Sequence, residues 1–124
     1  MTAFRILVGD VTRALRFYRD HLGFQIVEQF GSAMAILERD GVRIWLSGPQ
    51  TSAAKPTADG EQPGPGGWNR LVIQVEDLDA LLVPLIEAGY ELRNEPVTGP
   101  GGKQALIRDG EGNLVEIFAQ RGER

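Results

Sequence analysis

Asp10-Val11-Thr12-Arg13-Ala14-Leu15-Arg16-Phe17-Tyr18-Arg19-Asp20-His21-Leu22-Gly23 decides the fold, because its pattern returns 67 residues later as Asp77-Leu78-Asp79-Ala80-Leu81-Leu82-Val83-Pro84-Leu85-Ile86-Glu87-Ala88-Gly89. Each copy opens on an Asp whose carboxylate can accept from the orphan amides of a first helical turn. Val11, Ala14, Leu15, Tyr18 and Leu22 then fall on one apolar helix stripe. Leu78, Leu81, Leu82 and Leu85 hold the same spacing in the second copy. Gly23 and Gly89 close the two helices, since glycine enters the left-handed C′ conformation without a Cβ penalty. Pro84 lies inside the second helix, where it removes an internal hydrogen bond and predicts a kink or an early break.

Strand patterns surround each helix in the same order. Phe4–Val8 precedes the first. Phe24–Phe30 and Met34–Arg39 follow, joined around Gly31-Ser32, and Asp40-Gly41 is a tight hairpin signal before Val42–Ser47. In the second copy Asn69–Val75 precedes the helix, and Tyr90–Val97, Lys103–Arg108 and Leu114–Ala119 follow it. Arg39-Asp40-Gly41 recurs as Arg108-Asp109-Gly110. Matching caps, stops, apolar phase and hairpins in one order define an internal repeat. The fold class is therefore α+β: two β-α-β-β-β modules, about residues 3–47 and 69–119. Neither module could bury both its helix stripe and its sheet alone. Pairing them predicts a single domain over residues 1–124, with a curved mixed sheet, helices outside and a ligand pocket between the copies.

Residues 48–68 connect the modules. Nine of residues 48–67 are Gly or Pro, which rules out a long strand or helix there. The segment reads as a linker, with a lid over the pocket as its functional alternative.

Composition narrows the function classes. The chain of 124 residues is 42% hydrophobic and 24% charged, ordinary values for one globular domain. A net charge of −4 with no Lys/Arg cluster argues against nucleic acid or an anionic membrane as partner. With no cysteine, disulfides, zinc-thiolate sites and a thiol nucleophile are excluded. Neither a signal-peptide pattern nor an apolar run near the ~20 residues of a membrane span is visible, so a cytoplasmic location is expected.

Val8-Gly9-Asp10-Val11 and Phe17-Tyr18-Arg19-Asp20-His21-Leu22-Gly23-Phe24 resemble the opening of the vicinal oxygen chelate superfamily. That group includes glyoxalase I, fosfomycin-resistance transferases, extradiol dioxygenases and bleomycin-resistance proteins. Asp109-Gly110-Glu111-Gly112-Asn113-Leu114-Val115-Glu116-Ile117-Phe118 resembles its closing strand. The resemblance covers nearly the whole chain outside residues 48–67. It implies paired βαβββ modules, each wrapping a U-shaped sheet around a cup where the enzymes hold a divalent metal. Their usual ligands are His or Gln on the first strand of each module and Glu on a last strand. Counting back from the capping Asp places the first-strand positions at Ala3 and Arg70, and the last-strand positions fall at Trp45 and Glu116. Ala offers no donor atom, Trp only an N–H, and Arg is permanently cationic. One carboxylate does not make a catalytic divalent site, so no metal and no other cofactor is expected.

A guanidinium–carboxylate pair between Arg70 and Glu116 fits the place left by the metal. It either satisfies Glu116 alone or also binds a polar group of a ligand. Strand alternation brings Arg5 and Leu7 to the cup face beside Ala3, Val72 and Gln74 beside Arg70, and Leu114 and Phe118 beside Glu116. Trp45 brings Arg43 and Ser47 with it, and either stacks on a flat ligand or fills core. The expected ligand-binding set is Arg5, Trp45, Arg70, Gln74, Glu116 and Phe118, with no catalytic residue assigned. His21, the one histidine, suits a helix end electrostatically and lies outside the cup. Trp68 reads as a surface loop residue, Gly99-Pro100-Gly101-Gly102 as a hairpin loop, and Glu87 and Glu91 as solvated.

The reading is a metal-free small-molecule-binding protein of the glyoxalase/bleomycin-resistance type, a homodimer sequestering a flat or amphipathic compound such as an antibiotic. Whether modules pair within or between chains is open. The alternative is a lyase, isomerase or dioxygenase of the same superfamily, using a divalent metal or acid–base chemistry at Glu116. A carboxylate held beside a guanidinium is a poor general acid or base near neutrality, which disfavours the last. A regulatory subunit with an empty cup is a third possibility.

Overall fold

Asp10 accepts the Arg13 amide at 3.0 Å and starts α1, Val11–Leu15, behind the first strand, β1, Ala3–Leu7. The helix does not continue as α to Leu22. It widens into a π-helical segment over Arg16–His21, marked by the Leu22 N–H donating to the Phe17 carbonyl at 3.0 Å. The wider turn has a packing consequence. Phe17, off the predicted stripe, and Tyr18, on it, are both 0% exposed. Their rings meet edge to face at 4.9 Å, and Tyr18 meets Phe24 in the same way at 6.1 Å. Gly23 stops the helix at φ +79°, as the sequence predicts.

β2, Gln25–Phe30, β3, Met34–Arg39, and β4, Val42–Ser47, complete a mixed sheet in the order β1-β4-β3-β2. β1 runs parallel to β4, and the other pairs are antiparallel. Asp40 and Gly41 take φ of 53° and 78°, the mirror-image turn that a two-residue hairpin needs. Ala35, Leu37, Ile44 and Leu46 are buried on the face toward α1. A bulge between Ile26 and Glu28 shifts the β2–β3 register.

The second half repeats the plan. β5, Leu71–Val75, leads to α2, Leu78–Glu87, capped by Asp77 on the Ala80 amide at 3.2 Å. β6, Val97–Thr98, β7, Gly102–Arg108, and β8, Leu114–Gln120, pair in the order β5-β8-β7-β6. Ile73, Ala105, Ile107, Val115 and Ile117 are buried beside Leu78, Leu82 and Leu85 of α2. Each half thus carries its own four-stranded mixed sheet, in keeping with the two βαβββ modules that the sequence predicts.

Three local expectations change. α2 runs through Pro84 without the early break. Pro84 and Ala80, whose carbonyl loses its partner, are both exposed, so water can satisfy that carbonyl. The strand predicted over Tyr90–Val97 reduces to one Leu92–Ile107 bridge and the two residues of β6. Pro96 lacks the N–H that an unbroken ladder would use. Arg108-Asp109-Gly110 does not form a two-residue hairpin like its counterpart. Asp109, 1% exposed, instead organises the loop to Asn113, accepting the Glu111 amide at 2.7 Å and the Asn113 amide at 3.0 Å.

The computed structural model describes residues 1–120 and falls into two compact units, Met1–Pro65 and the part from Gly66 onward. The division lies in the Gly/Pro-rich connector. Within it, Ser52–Ala54 form a short 3-10 turn, and Thr57 and Glu61 close a small loop, the Thr57 amide donating to the Glu61 carbonyl at 2.9 Å. Among the described residues no helix is long and apolar enough to cross a membrane.

Candidate functional site

The strand registers put the two halves in one frame. Arg5 lies opposite Trp45 across β1–β4, and Val72 lies opposite Glu116 across β5–β8. Arg5 and Val72 are 67 residues apart, the spacing of the two capping Asp residues. Trp45 and Glu116 therefore stand at equivalent backbone positions, as the sequence alignment placed them.

In the second unit the predicted pair forms. Arg70 Nε and Nη2 donate to Glu116 Oε1 at 3.1 and 2.9 Å, and Arg70 Nη1 donates to the Trp68 carbonyl at 3.0 Å. The side chains are 25% and 12% exposed. Both guanidinium bonds converge on one carboxylate oxygen. The other, Oε2, has no protein partner among the described residues. Gln74 and Phe118 pair in register two positions along the strands, and Gln74 Nε2 donates to Gln120 Oε1 at 3.2 Å.

In the first unit the Arg5 guanidinium lies 5.0 Å from the Trp45 ring centroid and donates from Nη1 to Ser47 Oγ at 3.0 Å. Ser47 is fully buried and its hydroxyl donates to the Trp45 carbonyl at 3.2 Å. The Trp45 indole Nε1 is buried with no hydrogen-bond partner among the described residues. Buried N–H groups in native proteins rarely lack an acceptor. Arg43 turns to Glu38 at 2.8 Å, and Ala3 pairs with Arg43 in register.

Structure thus assembles the predicted residues as two clusters, Arg5 with Trp45 and Arg70 with Glu116. Two open depressions lie elsewhere and contain none of the six predicted residues. One of about 550 Å³ is lined by Gly23, Ile26, Glu38 and Arg43. The other, of about 600 Å³, is lined by Ile86, Tyr90, Leu92 and Arg108.

Sequence reasoning missed Arg93. Its guanidinium sits 5.1 Å from the ring centroid of Trp68, which is 61% exposed. The Arg93 amide donates to the Leu106 carbonyl at 2.8 Å beside the Leu92–Ile107 bridge. Leu106 in turn faces Glu116 across β7–β8. Alternation therefore sends Arg93 to the face that carries Glu116. The signal was present, since Arg93 lies in the segment read as a strand, but the partner strand and its register were not legible. Trp68 was expected at the surface and is found there.

The chain is 28% identical over 116 residues to virulence protein STM3117 of Salmonella typhimurium, covering 90% of this chain and 78% of that protein. Among solved structures, lactoylglutathione lyase from Agrobacterium tumefaciens superposes with a TM-score of 0.73 at 20% identity, covering 96% of this chain and 92% of the other. TnmS3, an antibiotic binding protein from Streptomyces sp. CB03234, gives 0.71 at 23% identity, covering 96% and 93%. At such identities these two structures share the fold, and fold does not fix activity. A family model matches residues 1–117, nearly the whole chain, and on that match the chain belongs to the Glyoxalase/Bleomycin resistance protein/Dioxygenase superfamily.

Proposed function

We propose that this protein is a metal-free small-molecule-binding member of its superfamily, taking a flat or amphipathic compound such as an antibiotic. One observation carries the reading: Arg70 engages Glu116 through two guanidinium bonds at the one ligand position that holds a carboxylate. Superfamily enzymes hold a divalent metal at these positions, and the four side chains here do not fit one. Ala3 has no donor atom, Trp45 offers only an N–H, Arg70 is a cation, and Glu116 Oε1 is taken by Arg70. Among the described residues no three His, Cys, Asp or Glu side chains group as a metal site.

Binding is supported by the groups left over. Trp45 has a buried N–H donor in need of an acceptor, and Glu116 keeps a second carboxylate oxygen that Arg70 does not take. In the second unit, polar groups set beside Val72, Leu106 and Phe118 match the usual make-up of a small-molecule site. The fold likeness to an antibiotic binding protein points the same way. In this reading residues 1–124 act as one domain, the protein is a cytoplasmic homodimer, and Arg5, Trp45, Arg70, Gln74, Glu116 and Phe118 contact the ligand.

Elemental analysis after incubation with zinc, manganese, nickel or iron(II), followed by desalting, tests the metal-free half. The expected result is a metal content well below one per chain. Stoichiometric metal that is lost in Glu116→Gln overturns it. Quenching of tryptophan emission by a panel of planar antibiotics tests the binding half, with Trp45→Phe expected to change the response.

A further inference from the structure

Arg93 is held in place without a counter-charge. Its guanidinium lies over Trp68, and among the described residues no carboxylate pairs with it. Two neighbouring pairs of charges balance. Arg70 is matched by Glu116, and Arg108 and Glu91, joined through the Arg108 amide and the Glu91 carbonyl at 2.8 Å, add one of each sign.

The way it is held matters for chemistry. The indole quadrupole attracts the guanidinium, and this weakly hydrated, planar group keeps its N–H fork free for a bidentate acceptor. Among the described residues no side-chain hydrogen bond from Arg93 consumes that fork. Trp68, 61% exposed, offers a flat apolar surface directly beside it. The first unit repeats the device. Arg5 lies 5.0 Å from the Trp45 ring centroid, spends one N–H on Ser47, and has no carboxylate partner among the described residues. Acidic side chains outnumber basic ones in this chain, 17 to 13. Seating two guanidiniums on indoles rather than on carboxylates keeps their charge available to something else.

We propose that the second unit binds a planar aromatic carboxylate, with the carboxylate on the Arg93 fork and the ring along Trp68. This deepens the small-molecule reading above and rests on it. The Arg70–Glu116 pair stays intact on binding and supplies the wall of the site.

Calorimetric titration of the full chain with 2-naphthoate, its neutral isostere 2-naphthamide, and the cationic 2-naphthylmethylammonium tests the inference. Naphthoate is expected to bind about tenfold or more tighter than the amide, the size of effect a charge-assisted bidentate pair supports, and the cation weakest. Arg93→Gln, at an exposed position, is expected to erase that preference while leaving the circular dichroism spectrum and Tm unchanged. Equal binding of naphthoate and naphthamide overturns the inference and leaves small-molecule binding standing. A preference that survives Arg93→Gln but is lost in Arg5→Gln also overturns it, placing the anion site in the first unit. If none of the three binds, the inference is wrong, and the small-molecule reading is decided by the antibiotic panel and metal analysis.

Discussion

Replacing Arg70 by Met removes the guanidinium while keeping most of the aliphatic stem, and its cost follows from the geometry of the pair. Glu116 would lose both bonds to Oε1, at 3.1 and 2.9 Å, and be left as a carboxylate only 12% exposed. Breaking a fully buried pair costs about 3–5 kcal/mol and an exposed one under about 1 kcal/mol. Arg70 is 25% exposed, so solvent screens part of the loss and about 2 kcal/mol is expected. At about 4 °C per kcal/mol for a chain of this size, Tm should fall by about 8 °C. Glu116→Leu strands the guanidinium instead and should cost somewhat less, because Arg70 keeps the Trp68 carbonyl and more water. The double variant Arg70→Met/Glu116→Leu leaves no stranded charge and should return to within about 1 kcal/mol of the parent. Urea denaturation followed by circular dichroism on all four proteins gives the coupling energy, expected at about 3 kcal/mol. Strictly additive losses, with a coupling under about 0.3 kcal/mol, would show that the pair is a solvated surface contact and refute the reasoning.

Two further outcomes are expected. Asp109→Ala removes the acceptor of the Glu111 and Asn113 amides and of Asn113 Nδ2 from a buried loop, so stability should drop by about 2–3 kcal/mol. Hydrogen exchange at the two amides should accelerate beyond what that global loss accounts for. Pro84→Ala restores the missing amide in a helix that already has regular geometry there, so stability should rise by about 1 kcal/mol in the same urea assay.

The repeat was legible because it rests on local chemistry written in order along the chain. The caps Asp10 and Asp77, the stops Gly23 and Gly89, and the Asp40-Gly41 turn each depend on neighbours within a few residues. The Arg70–Glu116 pair was legible for a different reason. It spans 46 residues, yet the superfamily resemblance fixed both positions before any distance was known. Arg93 and the free oxygen of Glu116 were not legible. The first depends on the isolated Leu92–Ile107 bridge, and the second on which oxygen two guanidinium nitrogens choose.

Sequence alone determined the βαβββ order of each half, the ends of the helices and the absence of cysteine chemistry, because those follow from side-chain identity and short-range periodicity. The superfamily resemblance added the expectation that Ala3, Trp45, Arg70 and Glu116 stand at its ligand positions. Tertiary structure decided the rest. It widened the end of the first helix so that Phe17 and Tyr18 could both be buried, and it carried α2 past Pro84 where solvent meets the orphan carbonyl. It set Arg5 on Trp45 and Arg93 on Trp68, contacts that join residues 40 and 25 positions apart. Such contacts depend on strand register and side-chain reach, which no local pattern encodes. The expected ligand positions came from the superfamily resemblance, while the contacts that Arg5 and Arg93 make were a property of the folded sheets.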